Sequence, residues 1–443
     1  MHAHIWCRCE RQLVRLALEL HESFHQTQSG NSLYAWVNKG VLSIDNIMSP
    51  CSRTLFALLF SVTICISAAD GAFGERSEKE VPVGRWERRT DEELNEMVPW
   101  MKDYMRCPSA GRMMLNGFSA LTLRANAYKW TSDRLDYQAI DDKTAGECLR
   151  GKKILFAGDS ILLQHFASAV CLMHMEGHAA EELIEHRLEL PKDARGRGLL
   201  QSVFQFKDLD STMYFTWMHY FVRDKRSLEH TRIIKVRPNE LNYSHLGGTT
   251  EHLINLHTFD FIVVGVGNWL YSAFYDQRRA PRTWAEPTVT KAIRSGIARL
   301  NELFDQGLLK RDVTRIIFRS VHVNHRERAK NNTCLHEDMA DFTPEFMDSP
   351  EFAAIFEANM EVLRINEILL EALAEMPIKF TYFFLDVHTI SRERWEAHSS
   401  SDKLDVRKDC LHWVLPGVPD YWSRVMYNAM CNLDSHDIWQ NLS

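Results

Sequence analysis

Downstream of residue 80, short apolar runs alternate regularly with longer amphipathic stretches, and this alternation limits the fold more than any other feature. The runs at 152–158, 211–218, 259–267, 313–321 and 378–387 predict strands. The stretches at 161–175, 288–304 and 350–376 carry apolar residues three and four positions apart, which predicts helices. Apolar strands that alternate with helices are typical of a parallel sheet covered on both faces. We therefore expect an α/β fold with a doubly wound, mostly parallel sheet in a single domain over 80–443.

An apolar run without charges, Thr54 to Ala69, precedes this domain. It is shorter than the roughly 20 residues of a membrane span but close to the core of a signal peptide. With a start at Met48, residues 48–72 form a secretory leader and residues 1–47 are a gene-model extension. The alternatives are a short signal anchor at 54–69, with the preceding residues as a cytosolic tail, and a buried core helix. The first two interpretations place the remaining chain in a secretory lumen.

Cysteine usage and charge agree with a luminal protein. Six of the ten cysteines lie beyond the apolar run, and an even number in an oxidising compartment predicts disulfides. Three glycosylation sequons begin at Asn242, Asn331 and Asn441, which predicts a glycoprotein. The net charge of −7, with no stripe of Lys and Arg, argues against a nucleic-acid partner.

A candidate nucleophile follows the first predicted strand of the sheet. Gly158, Asp159 and Ser160 come directly after the apolar run and before a helix. A serine on such a turn exposes its hydroxyl above the sheet, where the helix N-terminus favours negative charge. This arrangement suits a nucleophile whose attack creates an oxyanion. The alternative is that Asp159 and Ser160 only cap the helix.

A candidate base lies near the C-terminus. Asp409 and His412 are three residues apart, so one helical turn places both side chains on the same face. The carboxylate can accept the imidazole Nδ1–H and leave Nε2 to take a proton from a serine. After the strand at 259–267, the Gly267 N–H or the Asn268 side chain could donate to the oxyanion.

These motifs resemble the SGNH, or GDSL-type, hydrolase superfamily. Within it, "DCLHWVLPGVPDYWSRVMYNAM" at 409–430 closely resembles the PC-esterase group, which includes the plant trichome-birefringence-like proteins. The segments at 149–173 and 385–401 are similar to the same group. The sequence departs from the plant pattern at 163–165, where Leu, Gln and His replace a basic residue and Asn-Gln. It also departs at Gly265 and Asn268, which stand where an Asn and a His are usual.

The resemblance implies an O-acetyltransferase of the Golgi lumen that acts on cell-wall polysaccharides. It assigns an acetyl-serine intermediate to Ser160, with His412 as base and Asp409 orienting it. It also implies a disulfide between Cys410 and Cys334. The alternatives are a glycan acyl-esterase with the same triad, and a catalytically silent carbohydrate-binding protein. The resemblance further implies that the protein is either anchored in the Golgi membrane as a type II protein or secreted.

The implied partners are a glycan acceptor and an acyl donor, which a membrane partner could supply. We expect no metal and no cofactor beyond the donor. Four further side chains are candidates for substrate binding: Trp269, Arg319, His398 and Trp413. For the aromatic residues the alternative is a place in the core. For Arg319 it is a salt bridge at the edge of the core, and for His398 a structural hydrogen bond.

Overall fold

A computed structural model of the chain describes residues 83–109, 119–183, 202–218, 223–224, 241–242, 248–265, 285–323, 350–398 and 411–441. All of them belong to one of the chain's two compact units, Pro82–Ser443. The predicted leader or anchor lies outside the described residues and stays a prediction. Among the helices that the structure describes, none is long and apolar enough to span a membrane.

The secondary structure follows the alternation seen in the sequence. The strands are β1 Arg85–Arg88, β2 Tyr128–Thr131, β3 Lys153–Gly158, β4 Ala180–Glu182, β5 Ser202–Phe206, β6 Ser211–Trp217, β7 Arg223–Asp224, β8 Leu241–Asn242, β9 Phe261–Gly265, β10 Arg315–Arg319 and β11 Tyr382–Leu385. The helices are α1 Asp91–Tyr104, α2 Ala120–Ala125, α3 Asp142–Cys148, α4 Ser160–Met175, α5 Gly248–Leu256, α6 Ala285–Asp305, α7 Pro350–Glu375, α8 Val387–Ser391 and α9 Val418–Cys431. Two short 3₁₀ helices cover Leu135–Tyr137 and Trp395–Ala397.

The central sheet has seven strands in the order β11-β10-β9-β3-β6-β5-β4. The strands from β11 to β6 are parallel to their neighbours, whereas β5 and β4 continue the sheet antiparallel. Numbered along the chain, the five parallel strands have the order 2-1-3-4-5. The topological switch point of such a sheet lies between its first and third strands, here β3 and β9. Ligands bind in the crevice at the carboxyl ends of these two strands.

Helices cover both faces of the sheet, as the sequence predicts. Along β3, Ile154 and Phe156 pack into a core with α4 and α9, while Leu155 and Ala157 pack into a second core with α6 and α7. Successive strand residues therefore enter opposite layers, which explains the unbroken apolar run at 154–157. The predicted doubly wound, mostly parallel α/β fold is confirmed.

The sequence prediction omits several elements of the structure. Strands β4 and β5 at the edge of the sheet and helix α9 are among them, because no long apolar run marks these strands and the helix lies in a motif rich in aromatic residues. The strand predicted at 378–387 is limited to β11. Asp386 ends it, since its carboxylate accepts the Thr389 backbone N–H at 3.1 Å and caps α8.

Two disulfides connect the segments around β3. Cys107 joins Cys171 on α4, and Cys148 at the end of α3 joins Cys431 at the end of α9. All four cysteines of the described ranges are therefore paired. The predicted bond between Cys410 and Cys334 lies outside the described residues and stays a prediction.

We expect the double substitution Cys107→Ser with Cys171→Ser to lower the free energy of unfolding by about 4 kcal/mol. The bond closes a loop across a sequence separation of 64 residues, and the chain-entropy model gives this magnitude. Urea denaturation followed by fluorescence measures the difference. Ser109→Ala is the matched control, because the Ser109 hydroxyl contacts both sulfur atoms but its loss leaves the bond intact. Equal stability of the double variant and the control would contradict the expectation.

Candidate active site

Ser160 lies at the carboxyl end of β3, on the turn into α4. The preceding residue, Asp159, is the N-cap, and its carboxylate accepts the N–H groups of Ile161 and Leu162 at 3.0 and 3.2 Å. Asp159 therefore caps α4, and the Ser160 side chain forms its hydrogen bond with a residue outside this helix. Ser160 is partly exposed, while the residues on either side of it are buried.

The turn brings the first residues of α4 unusually close to the sheet. Leu162 packs over Gly158, where an added Cβ would lie only 2.6 Å from the Leu162 side chain. Leu162 also covers Gly265, the last residue of β9, where a Cβ would lie 3.2 Å from it. Glycines at the ends of β3 and β9 thus allow the N-terminus of α4 to lie directly on the switch point, and Ser160 with it.

His412 is the partner of Ser160. Its Nε2 lies 2.9 Å from the Ser160 Oγ, within hydrogen-bonding distance, across 252 positions of sequence. Both residues are partly exposed, so the pair is open to a substrate at the carboxyl edge of the sheet. The geometry lets the imidazole take the serine proton, as a general base must. Asp409, the predicted partner of Nδ1, lies outside the described residues and remains a prediction.

The segment that carries His412 is held by buried polar groups. His398 is fully buried, its Nδ1 donates to the His412 carbonyl at 3.2 Å, and its ring lies 4.0 Å from that of Trp413. Trp413 is only 1% exposed and packs edge-on against Trp422. His398 thus makes a structural hydrogen bond and Trp413 lies in the core, which are the alternatives to substrate binding given for them in the sequence analysis. A substrate contact for either residue stays a prediction.

Arg319, the last residue of β10, is also fully buried. Its guanidinium lies 5.6 Å from the Trp422 ring, and burial lowers its pKa to about 10 against the attraction of the Asp159 carboxylate. The positive charge of Arg319 is therefore buried and attracted to the Asp159 carboxylate, and it is not at the protein surface. The proposed substrate contact of Arg319 stays a prediction. The oxyanion candidates Gly267 and Asn268, together with Trp269, fall outside the described ranges.

Several supporting residues were not recognised from the sequence. Gln164 and His322 contact the backbone beside His412, and Asp420 joins α9 to the nucleophile helix. Asp420 accepts hydrogen bonds from Tyr104 and Ser168, each at 2.6 Å. Burial raises the pKa of Asp420 to about 6 despite these donors. No sequence signal marks such contacts, since their partners lie far apart along the chain.

The described residues hold no group of three or more His, Cys, Asp or Glu side chains arranged to bind a metal ion. His178, which lies four residues after His174, pairs with Asp208 through Nδ1 at 2.5 Å.

A doubly wound sheet with a Gly-Asp-Ser turn at its switch point defines the class of SGNH-like α/β proteins. The chain belongs to the PC-esterase family, described as a GDSL/SGNH-like acyl-esterase family found in Pmr5 and Cas1p, which matches residues 139–429. The resemblance seen in the sequence is thereby confirmed.

Plant proteins are among the relatives. Trichome birefringence-like protein 6 of Arabidopsis thaliana is 24% identical over 367 residues, covering 79% of this chain and 70% of the relative. Probable xylan O-acetyltransferase 8 of Oryza sativa subsp. japonica is 23% identical over 327 residues, covering 68% and 67%. Xylan O-acetyltransferase 3 of the same species is 20% identical over 334 residues, covering 70% and 67%.

We expect His322→Gln to make the fold less sensitive to acid. Burial lowers the pKa of His322 well below its usual 6.5, and the positive charge of Arg319 lowers it further. Below pH 6.5 the unfolded chain binds a proton that the native state does not bind, so stability falls as pH falls. One such group contributes about 1.4 kcal/mol per pH unit in this window.

The measurement is the free energy of unfolding at pH 7 and pH 5. The difference between the two values should be smaller for His322→Gln than for the parent protein. The exposed His436 provides the control variant His436→Gln, for which we expect the parent difference. Equal acid sensitivity of His322→Gln and the parent would show that His322 is not neutral in the folded protein.

Proposed function

We propose that the protein is a serine O-acyltransferase that acetylates a glycan of the cell-wall polysaccharide type, with Ser160 as nucleophile. The observation that carries this proposal is the contact of 2.9 Å between Ser160 Oγ and His412 Nε2 at the switch point of the sheet. The names of the rice relatives, which specify xylan O-acetylation, support acetyl transfer to a polysaccharide.

The first half-reaction acylates the serine. As the Ser160 oxygen attacks the carbonyl carbon of the donor, its proton passes to His412 Nε2. The resulting oxyanion lies near the N-terminus of α4, and Gly267 or Asn268 would supply the other donor. When the carbonyl re-forms, the bond to the leaving group breaks and the leaving group takes the proton from His412. The product is acetyl-Ser160.

The second half-reaction regenerates the serine. A sugar hydroxyl loses its proton to His412 Nε2 while its oxygen attacks the acetyl carbonyl, and Ser160 leaves with that proton. Asp409 is proposed to accept the Nδ1–H of His412 and to stabilise the imidazolium in both steps. Water in place of the sugar would release acetate, so an acyl-esterase is the second candidate. The family description as acyl-esterases favours that candidate.

A silent carbohydrate-binding protein is the third possibility, and the contact between Ser160 and His412 argues against it. A binding module has no need of an accessible serine hydrogen-bonded to a histidine.

The proposed setting is the secretory pathway, with the Golgi lumen as the expected compartment. The proposed acyl donor is delivered there by a membrane partner.

We expect Ser160→Ala to abolish the covalent acyl intermediate and His412→Ala to reduce its formation by at least about 10³-fold, since the two residues act as a unit. Protein is mixed with p-nitrophenyl acetate, quenched and digested, and mass spectrometry locates the acetylated peptide. His178→Ala is the matched control, because His178 pairs with a carboxylate, as is proposed for His412, but lies beyond the opposite end of α4. Acetylation that persists in Ser160→Ala at the same peptide would disprove the assignment.

Xylan oligosaccharides added to the acetylated protein separate transferase from esterase. Acetyl groups gained by the sugar identify a transferase, and free acetate alone identifies an esterase.

Asn268→Ala should lower the rate of Ser160 acetylation about 10²–10³-fold if the Asn268 amide is an oxyanion donor, and should change it little if the Gly267 N–H has that role.

A further inference from the structure

Residues 411–417, which the structure describes, form no helix and make an isolated bridge at Trp413. The position of the His412 imidazole therefore depends on what fixes the backbone of residues 411–413. Among the described residues, three buried side chains from separate parts of the chain hydrogen-bond to that backbone. They are His322 to the Leu411 carbonyl at 3.1 Å, His398 to the His412 carbonyl at 3.2 Å, and Gln164 to both polar groups of Trp413.

The contact of Gln164 differs from the other two because it is double. Its Nε2–H donates to the Trp413 carbonyl at 2.8 Å, and its Oε1 accepts the Trp413 N–H at 3.0 Å. One side-chain amide thus satisfies both the backbone N–H and the backbone carbonyl of the residue next to His412, as a neighbouring strand would. Gln164 is 1% exposed, so water does not compete for these bonds.

The position of Gln164 on α4 explains why its contact with Trp413 matters for the placement of His412. Gln164 follows Ser160 by four residues, and residues at this spacing share one face of a helix. Two consecutive residues of the loop therefore meet two positions, one turn apart, on the helix that carries the nucleophile. Ser160 meets the His412 ring, and Gln164 meets the Trp413 backbone. The distance between nucleophile and base is thus set within a single helical turn.

We propose that Gln164 is a positioning residue that fixes His412 against Ser160 through the Trp413 backbone. The inference rests on the proposed function, in which His412 is the base for Ser160. A loop released from Gln164 keeps the hydrogen bonds from His322 and His398 to two carbonyls, but its backbone loses the two hydrogen bonds to α4. A shift of about 1 Å at reacting groups can cost about 10²-fold in rate.

The test compares variants in the burst of p-nitrophenol released from p-nitrophenyl acetate. Gln164→Met keeps the length of the side chain without its hydrogen bonds, and we expect the acylation rate constant to fall about 10²-fold with KM unchanged. Tyr427→Phe is the matched control. It removes one buried hydrogen bond from α9 to α4, the 2.7 Å bond from Tyr427 Oη to the Ala169 carbonyl, without touching residues 411–413. We expect it to stay within about threefold of the parent.

A double-mutant cycle with His412→Ala distinguishes a role of Gln164 in positioning His412 from a structural role that is independent of His412. If Gln164 acts only through His412, Gln164→Met causes no further loss in the His412→Ala background. An equal loss in both backgrounds, or a rate within threefold of the parent for Gln164→Met, overturns the inference. Parent-like acylation by His412→Ala itself would instead refute the proposed function.

Gln164→Glu serves the same cycle where Gln164→Met fails to fold. It keeps the shape of the side chain and an acceptor for the Trp413 N–H. At pH 8 an ionised carboxylate cannot donate to the Trp413 carbonyl, and we expect at least a tenfold loss of rate that again disappears in the His412→Ala background. Parent-like acylation by this variant at pH 8 would count against the inference.

Discussion

The fully buried carboxylate of Asp420 is the contact on which the arrangement of the site depends. It accepts the hydroxyl groups of Tyr104 on α1 and Ser168 on α4, and the N–H of Gly417 at 2.5 Å. One side chain thus joins three separate parts of the chain and begins α9 immediately after the loop that carries His412. A buried charge is stable only where donors surround it, so these segments must assemble together.

The residues around His412 are attached to the same part of the structure. Trp413 and Trp422 pack in the core that also contains α4. The carbonyl groups of Leu411 and His412 accept hydrogen bonds from His322 and His398. His412 therefore lies on a well-supported backbone and is still partly exposed.

The sequence predicts the sheet well because the unbroken apolar run at 154–157 in β3 indicates that both faces are covered. It also predicts Ser160 from the turn after that strand, and His412 from its spacing to Asp409. The support of the site has no such pattern. Gln164 looks like an ordinary polar residue in a helix, because its partner at Trp413 is 249 positions away. Burial of His398 likewise depends on packing that no local spacing records.

The departures from the plant pattern after the serine have a structural reason in the same packing. Leu163 and His165 are buried, and the His165 ring lies edge-on between Phe156 and Trp422. Burial holds the pKa of His165 well below its usual value, so the ring is a neutral core group. Residues 161–173 therefore face the protein interior, whereas Ser160 is partly exposed.

The disulfide between Cys148 and Cys431 has a consequence for the covalent integrity of the site. Cys148 comes shortly before β3 and Cys431 ends α9, so the bond closes a ring of chain that contains both Ser160 and His412. A single break in the backbone anywhere within that ring would leave Ser160 and His412 on one covalent molecule. The segments between the strands can thus be cut once without these two residues ever separating.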